Sequence, residues 1–138
     1  MPALRAVQRD IAAFRPRGFG PPVHGPAVAS RIFLLGQAPG PHEARLGRPF
    51  AWTAGKTLFR WLERATGADE DRVRASVYIA NAVKCRPPGN RTPLPNEVAA
   101  CREFLDGQID AIRPKAIVAL GKPATSLLLG REVSITRV

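Results

Sequence analysis

Apolar residues occur along this chain in two patterns, as short continuous runs and at helical spacing. Three short apolar runs have the length and composition of buried β-strands, at residues 31–35, 77–83 and 116–120. Four segments carry apolar residues at helical spacing and are predicted as helices, at residues 3–14, 53–65, 97–113 and 123–129. We expect Thr53 and Asn96 to cap the second and third helices, and Pro114 to end the third.

The order of these elements predicts the fold class. After the first helix, strand and helix alternate three times, which is typical of a parallel sheet with helices on both faces. We therefore predict an α/β three-layer sandwich with a central, mostly parallel sheet, formed by one domain over residues 1–138. Residues 1–30 would form an N-terminal helix and an irregular arm, and residues 31–138 a partial core. Residues 134–138 have the pattern of entry into another strand or hairpin, so we expect the fold to be incomplete at its C-terminus.

Two Gly- and Pro-rich segments follow the first two predicted strands and are predicted as loops, at residues 36–49 and 86–95. Ligands of parallel α/β sheets bind at the carboxyl ends of the strands, so both loops are expected at the functional edge. Gly36 and Gly40 would let the backbone approach a ligand closely, and consecutive N–H groups there can bind carbonyl oxygens or an anion. Any crossover between a strand and a helix can also carry such residues.

Two side chains at this edge suit a nucleobase. Phe50, at the end of the first loop, offers a ring on which a base can stack for about 1–3 kcal/mol. Core packing is the commoner use of a single Phe. Asn81, at the end of the second strand, offers a donor and an acceptor to the edge of a base. A role in a turn or a helix cap is the alternative for Asn81.

The segment Ala54-Gly55-Lys56-Thr57 is similar to the end of a phosphate-binding P-loop. That motif needs a glycine about five residues before its last glycine, and Phe50 occupies this position here. The segment also follows a loop instead of a strand. The sequence therefore disfavours a nucleoside triphosphatase.

The chain is strongly basic, with a formal net charge of +10. Such an excess favours a polyanionic partner, because neutralised phosphates release counterions. Only four of the 21 basic residues are Lys, and an Arg-rich genome composition explains that bias equally well. No apolar run approaches the ~20 residues that span a bilayer, and the charged N-terminus lacks a signal-peptide core. We therefore expect a cytoplasmic monomer with no membrane partner, whose Cys85 and Cys101 are free thiols.

Three stretches of the chain occur in a specific order and at a specific spacing. The first contains Gly36-Gln37-Ala38-Pro39-Gly40, Glu43 and Gly47-Arg48-Pro49-Phe50. The second is YIANAVKCRPP at residues 78–88, and the third covers residues 112–121. Together they resemble the uracil-DNA glycosylase superfamily, and most closely its family 4, the iron–sulfur enzymes. The resemblance extends over residues 31–138.

This resemblance implies an activity and a set of roles. Members of the family flip uracil out of DNA and hydrolyse its N-glycosidic bond in base-excision repair, so uracil-containing DNA is the implied partner. Phe50 would stack on uracil, and Asn81 would read its polar edge and reject cytosine. The main chain of Gln37 and Ala38 would contact uracil oxygens and stabilise the departing anion, which makes Gln37 catalytic as well. Glu43 is the acidic candidate for steadying the cationic sugar or placing water, and a solvated loop carboxylate is its alternative.

The sequence departs from the family pattern in three places. Gln37 stands where family 4 usually has Glu. Of the four cysteines that hold the family's 4Fe–4S cluster, only Cys85 and Cys101 are matched, at C-x15-C spacing, and the N-terminal pair is missing. A plain buried thiol explains Cys101 equally well. The family's C-terminal His-Pro segment is also missing, since His24 and His42 both lie upstream.

Three functions remain open from the sequence. The first is a C-terminally truncated uracil-DNA glycosylase. The second is a catalytically impaired remnant that binds uracil or DNA without the C-terminal His segment. The third is a basic α/β nucleic-acid-binding module with no base pocket, which the combination of Phe50 and Asn81 disfavours.

Overall fold

The computed structural model of the chain describes residues 2–129. Six α-helices and three β-strands occur in this range: α1 (Pro2–Ala13), β1 (Ile32–Gly36), α2 (Pro41–Leu46), α3 (Thr53–Thr66), α4 (Glu70–Ser76), β2 (Tyr78–Asn81), α5 (Pro95–Ile112), β3 (Ala116–Ala119) and α6 (Lys122–Leu129). A single 3₁₀ turn, Pro88–Asn90, precedes α5. No helix in this range is long and apolar enough to cross a membrane. The predicted entry into another strand or hairpin at residues 134–138 lies outside the described residues.

The three strands form one parallel sheet in the order β2-β1-β3. β1 is central, and its Leu34 lies opposite Ile79 of β2 and Val118 of β3. Each connection between two of these strands contains at least one helix, as parallel pairing requires. The predicted α/β fold with a parallel sheet is therefore confirmed for the described part of the chain.

The sheet is the middle of three layers, because successive side chains of a strand point to opposite faces. Beneath α1, α5 and α6 lies the larger buried cluster: Leu4, Phe33, Leu35, Tyr78, Ala80, Ala82, Leu105 and Ala124. Beneath α3 and α4 lies the smaller one: Leu34, Phe59, Val73 and Ile79. β1 and β2 therefore read as continuous apolar runs, since both of their faces are covered, whereas β3 lies at an edge of the sheet and its Val118 is 42% exposed.

Two of the helices are not among those predicted. Helix α2 lies inside the predicted loop at residues 36–49, so a continuous loop was wrong there. Pro41 at its first position has φ suited to a helix start, and Gly47 ends it with a φ of 74°. Helix α4 has only seven residues, and its cap Asp69 accepts a hydrogen bond from the Arg72 N–H at 3.0 Å. Such short helices show too little periodicity to stand out in a sequence.

Both predicted helix caps are wrong by a small shift. Helix α3 begins at Thr53 itself and α5 begins at Pro95, so Thr53 and Asn96 lie within first turns. Proline is favoured at the first helical position because it has no N–H to satisfy. The carboxylate of Glu97 accepts a hydrogen bond from the Leu94 N–H at 2.8 Å, and this contact replaces the expected Asn cap.

The second strand ends two residues earlier than predicted, at Asn81. The residues that follow Asn81 nevertheless continue the hydrogen bonding to the central strand β1 and the residue after it. The Ala82 N–H donates to the Gly36 carbonyl and the Val83 N–H donates to the Gln37 carbonyl, each at 2.9 Å. The segment after β2 is therefore tied to the start of the loop that follows β1.

The arm between α1 and β1 is irregular and runs along the segment that follows β2. The Gly20 N–H donates to the Arg86 carbonyl at 3.0 Å, and the Val23 N–H donates to the Lys84 carbonyl at 2.8 Å. Between these contacts, Pro22 and Cys85 form an antiparallel bridge. Helix α1 itself packs against α5, so the N-terminal segment covers one side of the core.

Candidate functional site

A cleft of about 470 Å³ opens at the carboxyl end of the sheet. The ends of the strands, helix α2 and the first turn of α3 line it. Its volume lies in the range of small-molecule sites, roughly 300–1,000 Å³. All of the residues proposed from the sequence for uracil binding or catalysis border this cleft: Gln37, Ala38, Glu43, Phe50 and Asn81.

Phe50 and Asn81 converge on Gly36 at the end of β1. A Cβ atom at position 36 would lie 2.5 Å from Cζ of Phe50 and 2.6 Å from Oδ1 of Asn81, so both contacts require glycine. Asn81 lies opposite Gly36 in the sheet and its side chain is largely buried. The ring offers a flat apolar face and the carboxamide offers a donor and an acceptor. Together they suit one face and one polar edge of a planar base.

The backbone of Phe50 has an unusual conformation. Its φ of 54° lies in the left-handed region, which costs a non-glycine residue roughly 1–3 kcal/mol. Arg74 of α4 donates from Nη2 to the Phe50 carbonyl at 2.7 Å. The guanidinium of Arg74 is itself held by Glu70 at 2.9 Å and lies 4.6 Å from the ring centroid of Phe59. The strained position of Phe50 is thus maintained by a buried arginine that the sequence analysis missed, because α4 was not predicted.

Gly55 in α3 allows the main chain of Phe50 to approach the helix. A Cβ atom at position 55 would lie 1.9 Å from the Phe50 carbonyl oxygen and 2.4 Å from its carbonyl carbon. This contact explains the glycine of the Ala54-Gly55-Lys56-Thr57 segment, which forms the first turn of α3 after a loop. The glycine serves packing against Phe50, and the segment lacks the strand that precedes a P-loop.

Glu43 clamps the loop that carries Phe50. Its Oε1 accepts a hydrogen bond from the Gly40 N–H and its Oε2 accepts one from the Ala51 N–H, each at 2.9 Å. This single side chain therefore joins the two ends of the segment 40–51. Hydrogen bonds to a carboxylate are about twice as strong as neutral ones. Each oxygen keeps further acceptor capacity, and the carboxylate borders the cleft. The clamp was not predicted from the sequence.

An aromatic stack borders the same cleft. The ring of His42 lies on that of Trp52, with centroids 3.9 Å apart and planes inclined by 18°. The ammonium of Lys56 lies 4.4 Å from the Trp52 ring centroid. Nη2 of Arg45 lies 3.3 Å from Nδ1 of His42, so the guanidinium borders this stack as well. No sequence pattern predicted a role for His42, which lies in α2.

Lys84 is fully buried behind the cleft. Its Nζ donates to the main-chain oxygen of Asn81 and to Oε1 of Gln108, each at 2.6 Å. Burial lowers the pKa of Lys84 from 10.5 to about 7, and a smaller effect of Cys101 opposes this shift. Both hydrogen-bond partners are uncharged, so the ammonium is held without an ion pair to either of them. No sequence pattern indicated this arrangement.

Cys85 and Cys101 do not border the cleft and lie instead at a smaller cavity of about 110 Å³ beside the arm. Both are buried free thiols. Burial, and then the proximity of Cys101, raises the pKa of Cys85 to about 11. Burial also raises the pKa of Cys101, and Lys84 opposes that shift. Burial therefore favours the protonated form of both thiols.

These two thiols do not complete a site for the 4Fe–4S cluster that the family resemblance implies. Such a cluster is held by four ligands. The arm contributes Phe14, Pro16 and Phe19 to the cavity, and none of these side chains is a ligand. Within residues 2–129, no three His, Cys, Asp or Glu side chains are grouped so that they could hold a metal ion. The described residues therefore do not fit the cluster.

Comparisons with known proteins lead to one family. The model of the uracil DNA glycosylase superfamily matches residues 22–137. The type-4 uracil-DNA glycosylase of Thermotoga maritima is 49% identical over 110 residues, which cover 79% of this chain and 55% of the relative. The type-4 uracil-DNA glycosylase of Sulfurisphaera tokodaii is 43% identical over 113 residues, covering 79% of this chain and 50% of the relative. The type-5 uracil-DNA glycosylase of Pyrobaculum aerophilum is 36% identical over 110 residues, covering 72% and 48%. The chain spans about half the length of these curated relatives.

Proposed function

Because the chain belongs to the uracil DNA glycosylase superfamily, we propose that its cleft receives a uracil flipped out of DNA and that the protein hydrolyses the N-glycosidic bond. The observation that carries this proposal is the convergence of Phe50 and Asn81 on Gly36. In this proposal the Phe50 ring covers one face of uracil and the Asn81 carboxamide meets its polar edge. Uracil-containing DNA is the partner, and the net charge of +10 favours its binding.

Asn81 provides the discrimination between uracil and cytosine. Uracil presents a carbonyl oxygen and an N–H where cytosine presents an amino group and a bare ring nitrogen. A carboxamide whose orientation is fixed matches only one of these two patterns. Burial of Asn81 makes the mismatch costly, since an unpaired buried polar group loses its hydration without replacement.

The reaction breaks the bond between C1′ of the deoxyribose and N1 of uracil. The bonding electron pair leaves with uracil, which departs as an anion, and water adds to C1′ and gives up a proton. The main-chain N–H groups at Gln37 and Ala38 stabilise the charge on the departing base, a role supported by their place on the cleft at the end of β1. The Glu43 carboxylate, which also borders the cleft, steadies the cationic sugar or orients the water.

An excision assay tests this function. Oligonucleotides with one labelled uracil, single- and double-stranded, are incubated with the protein and then cleaved at abasic sites with alkali. We expect strand scission with the wild type and a rate lowered by about 10²- to 10³-fold in Asn81→Ala, the usual effect of losing one transition-state hydrogen bond. Asn96→Ala, at an exposed position on α5, is the matched control and should keep the wild-type rate.

The same assay separates the enzyme from a binding remnant. No scission of either substrate by the wild type would contradict the hydrolase. If the inactive protein still bound uracil-containing DNA more tightly than thymine-containing DNA, by fluorescence polarisation, a catalytically impaired uracil-binding protein would replace it. Equal affinity for both would contradict the base pocket itself.

A further inference from the structure

The segment after β2 contains a buried lysine that the proposed reaction does not use. Lys84 follows Asn81 by three positions, and its side chain folds back so that Nζ reaches the Asn81 carbonyl oxygen at 2.6 Å. Lysine is among the residues least often fully buried, because an ammonium loses its hydration there. The fold keeps this unfavourable group directly behind the residue that reads the base.

A chain of buried side chains anchors the ammonium. Oε1 of Gln108 accepts from Nζ of Lys84 at 2.6 Å, and Nε2 of Gln108 donates to the Tyr78 hydroxyl at 2.9 Å. The same hydroxyl accepts from Nε2 of Gln8 at 3.3 Å. Three of these side chains are fully buried and Gln8 is 7% exposed. The position of the ammonium is therefore set by α1, α5 and β2, the elements that form the larger core.

The peptide group between Asn81 and Ala82 is held at both of its polar atoms. The Ala82 N–H donates to the Gly36 carbonyl at 2.9 Å, and the Asn81 oxygen accepts from Lys84. Fixing this peptide plane restricts ψ of Asn81, and with it the direction in which the side chain leaves the backbone. Asn81 is the last residue of β2, so the sheet ladder alone does not hold the far side of this peptide.

We propose that Lys84 and Gln108 are positioning residues, which orient the base-reading carboxamide of Asn81 by fixing the peptide group that follows it. The inference rests on the proposed uracil site, because that site is what gives the orientation of Asn81 its meaning. Neither residue touches the base. A lysine suits the task because its ammonium donates in several directions at the end of a long stem, and so bridges acceptors on two elements.

The orientation of Asn81 can be observed without any reaction. The chain contains three asparagines, Asn81, Asn90 and Asn96, so labelling with [¹⁵N]asparagine gives only three pairs of side-chain amide signals. Asn81→Ala assigns one pair by its disappearance. We expect Lys84→Met to shift and broaden the Asn81 pair and to leave the other two unchanged.

Excision kinetics then test whether that orientation matters. We expect Lys84→Met to lower kcat/KM for uracil-containing DNA by about 10- to 100-fold, as misplacement of a group by a fraction of an ångström to 1 Å does. Lys115→Met is the matched control, because Lys115 is exposed and precedes β3 at the opposite end of the sheet. This control should keep the wild-type rate and the wild-type Asn81 signals.

Substitutions of Gln108 provide an independent test. Gln108→Leu leaves the lysine in place and removes its anchor, so it carries the test if Lys84→Met does not fold. We expect it to disturb the Asn81 signals and lower the rate. Gln108→Glu, in contrast, keeps an acceptor for Lys84. Its rate should therefore stay within about 3-fold of the wild type, unlike that of Gln108→Leu, as expected if Gln108 acts through this hydrogen bond.

The outcomes separate this inference from the proposed function. Unchanged Asn81 signals and unchanged rates in Lys84→Met and Gln108→Leu, measured where both variants are folded, would overturn the positioning role. Lower stability with wild-type rates would also overturn it and leave a structural role only. If the wild type neither releases nor binds uracil, the proposed function fails, while the amide signals still decide whether Lys84 orients Asn81.

Discussion

Gly55→Ala tests how closely the position of Phe50 is tied to helix α3. The added Cβ would lie 1.9 Å from the Phe50 carbonyl oxygen, and the main chain must move by roughly 1 Å before that contact reaches 3.0 Å. This movement acts on a residue that already has a φ of 54° and whose carbonyl accepts from Arg74. Because the obstacle is backbone, it cannot be relieved by a change of rotamer.

The expected magnitudes follow from two opposing effects. Overpacking costs about 1–3 kcal/mol, while replacing a helical glycine by alanine stabilises the helix by about 1 kcal/mol. We therefore expect a net loss of stability of at most about 2 kcal/mol. Activity should respond much more strongly, since a displacement of about 1 Å in a reacting site can lower a rate by roughly 10²-fold.

The assay pairs urea denaturation with uracil excision for this variant and a matched control. Gly107→Ala lies in helix α5, gains the same helix propensity, and its Cβ would meet only the side chain of Val7 at 3.1 Å. We expect the control to keep the wild-type excision rate. A wild-type rate in Gly55→Ala would refute the reasoning, because the main chain of Phe50 would then tolerate displacement without consequence for the site.

Two further predictions concern charges described above. Glu43→Gln presents an amide group to one of the two loop N–H donors, so we expect it to lower the free energy of unfolding by about 1–3 kcal/mol in urea denaturation; unchanged stability would show that the clamp does not hold the loop. For Lys84, the folded pKa of about 7 lies below the unfolded value of 10.5, so this side chain binds more protons in the unfolded state between these values, and its own contribution to stability rises with pH across that window. Across the window, protonation of Lys84 changes the free energy of unfolding by at most about 5 kcal/mol, at ~1.4 kcal/mol per unit of pKa. This change is absent in Lys84→Met. Parallel curves of unfolding free energy against pH for the two proteins would contradict the pKa of the buried lysine.

The parts of the candidate site that depend on strand ends could be predicted from the sequence. Gly36 and Asn81 follow two apolar runs, and adjacent parallel strands necessarily bring their carboxyl ends together. The family resemblance, confirmed by identities of 43–49% to type-4 enzymes, added the loop that ends at Phe50. These features depend on local patterns, namely apolar runs and glycines, and can therefore be predicted from the sequence.

The supporting contacts could not be predicted in the same way. Arg74 reaches a carbonyl 24 positions upstream, from a seven-residue helix that leaves little trace in the sequence. The burial of Lys84 depends on Gln108, which lies equally far away in α5. A lysine in a sequence is read as a surface residue by default, and only the packing of three layers shows that this one is enclosed. Long-range polar contacts between single side chains have no periodic signal.

The clamp formed by Glu43 has a consequence for the thermodynamics of recognition. A flexible loop would have to lose conformational freedom each time a base arrived, and that entropy loss would weaken binding. Here the carboxylate joins the two ends of the loop in the protein alone, so Phe50 has its orientation before any ligand is present. The conformational entropy of the loop is therefore lost during folding and not during binding. In the proposed function, the contact energy of the base would then be available to offset its extrusion from the DNA stack.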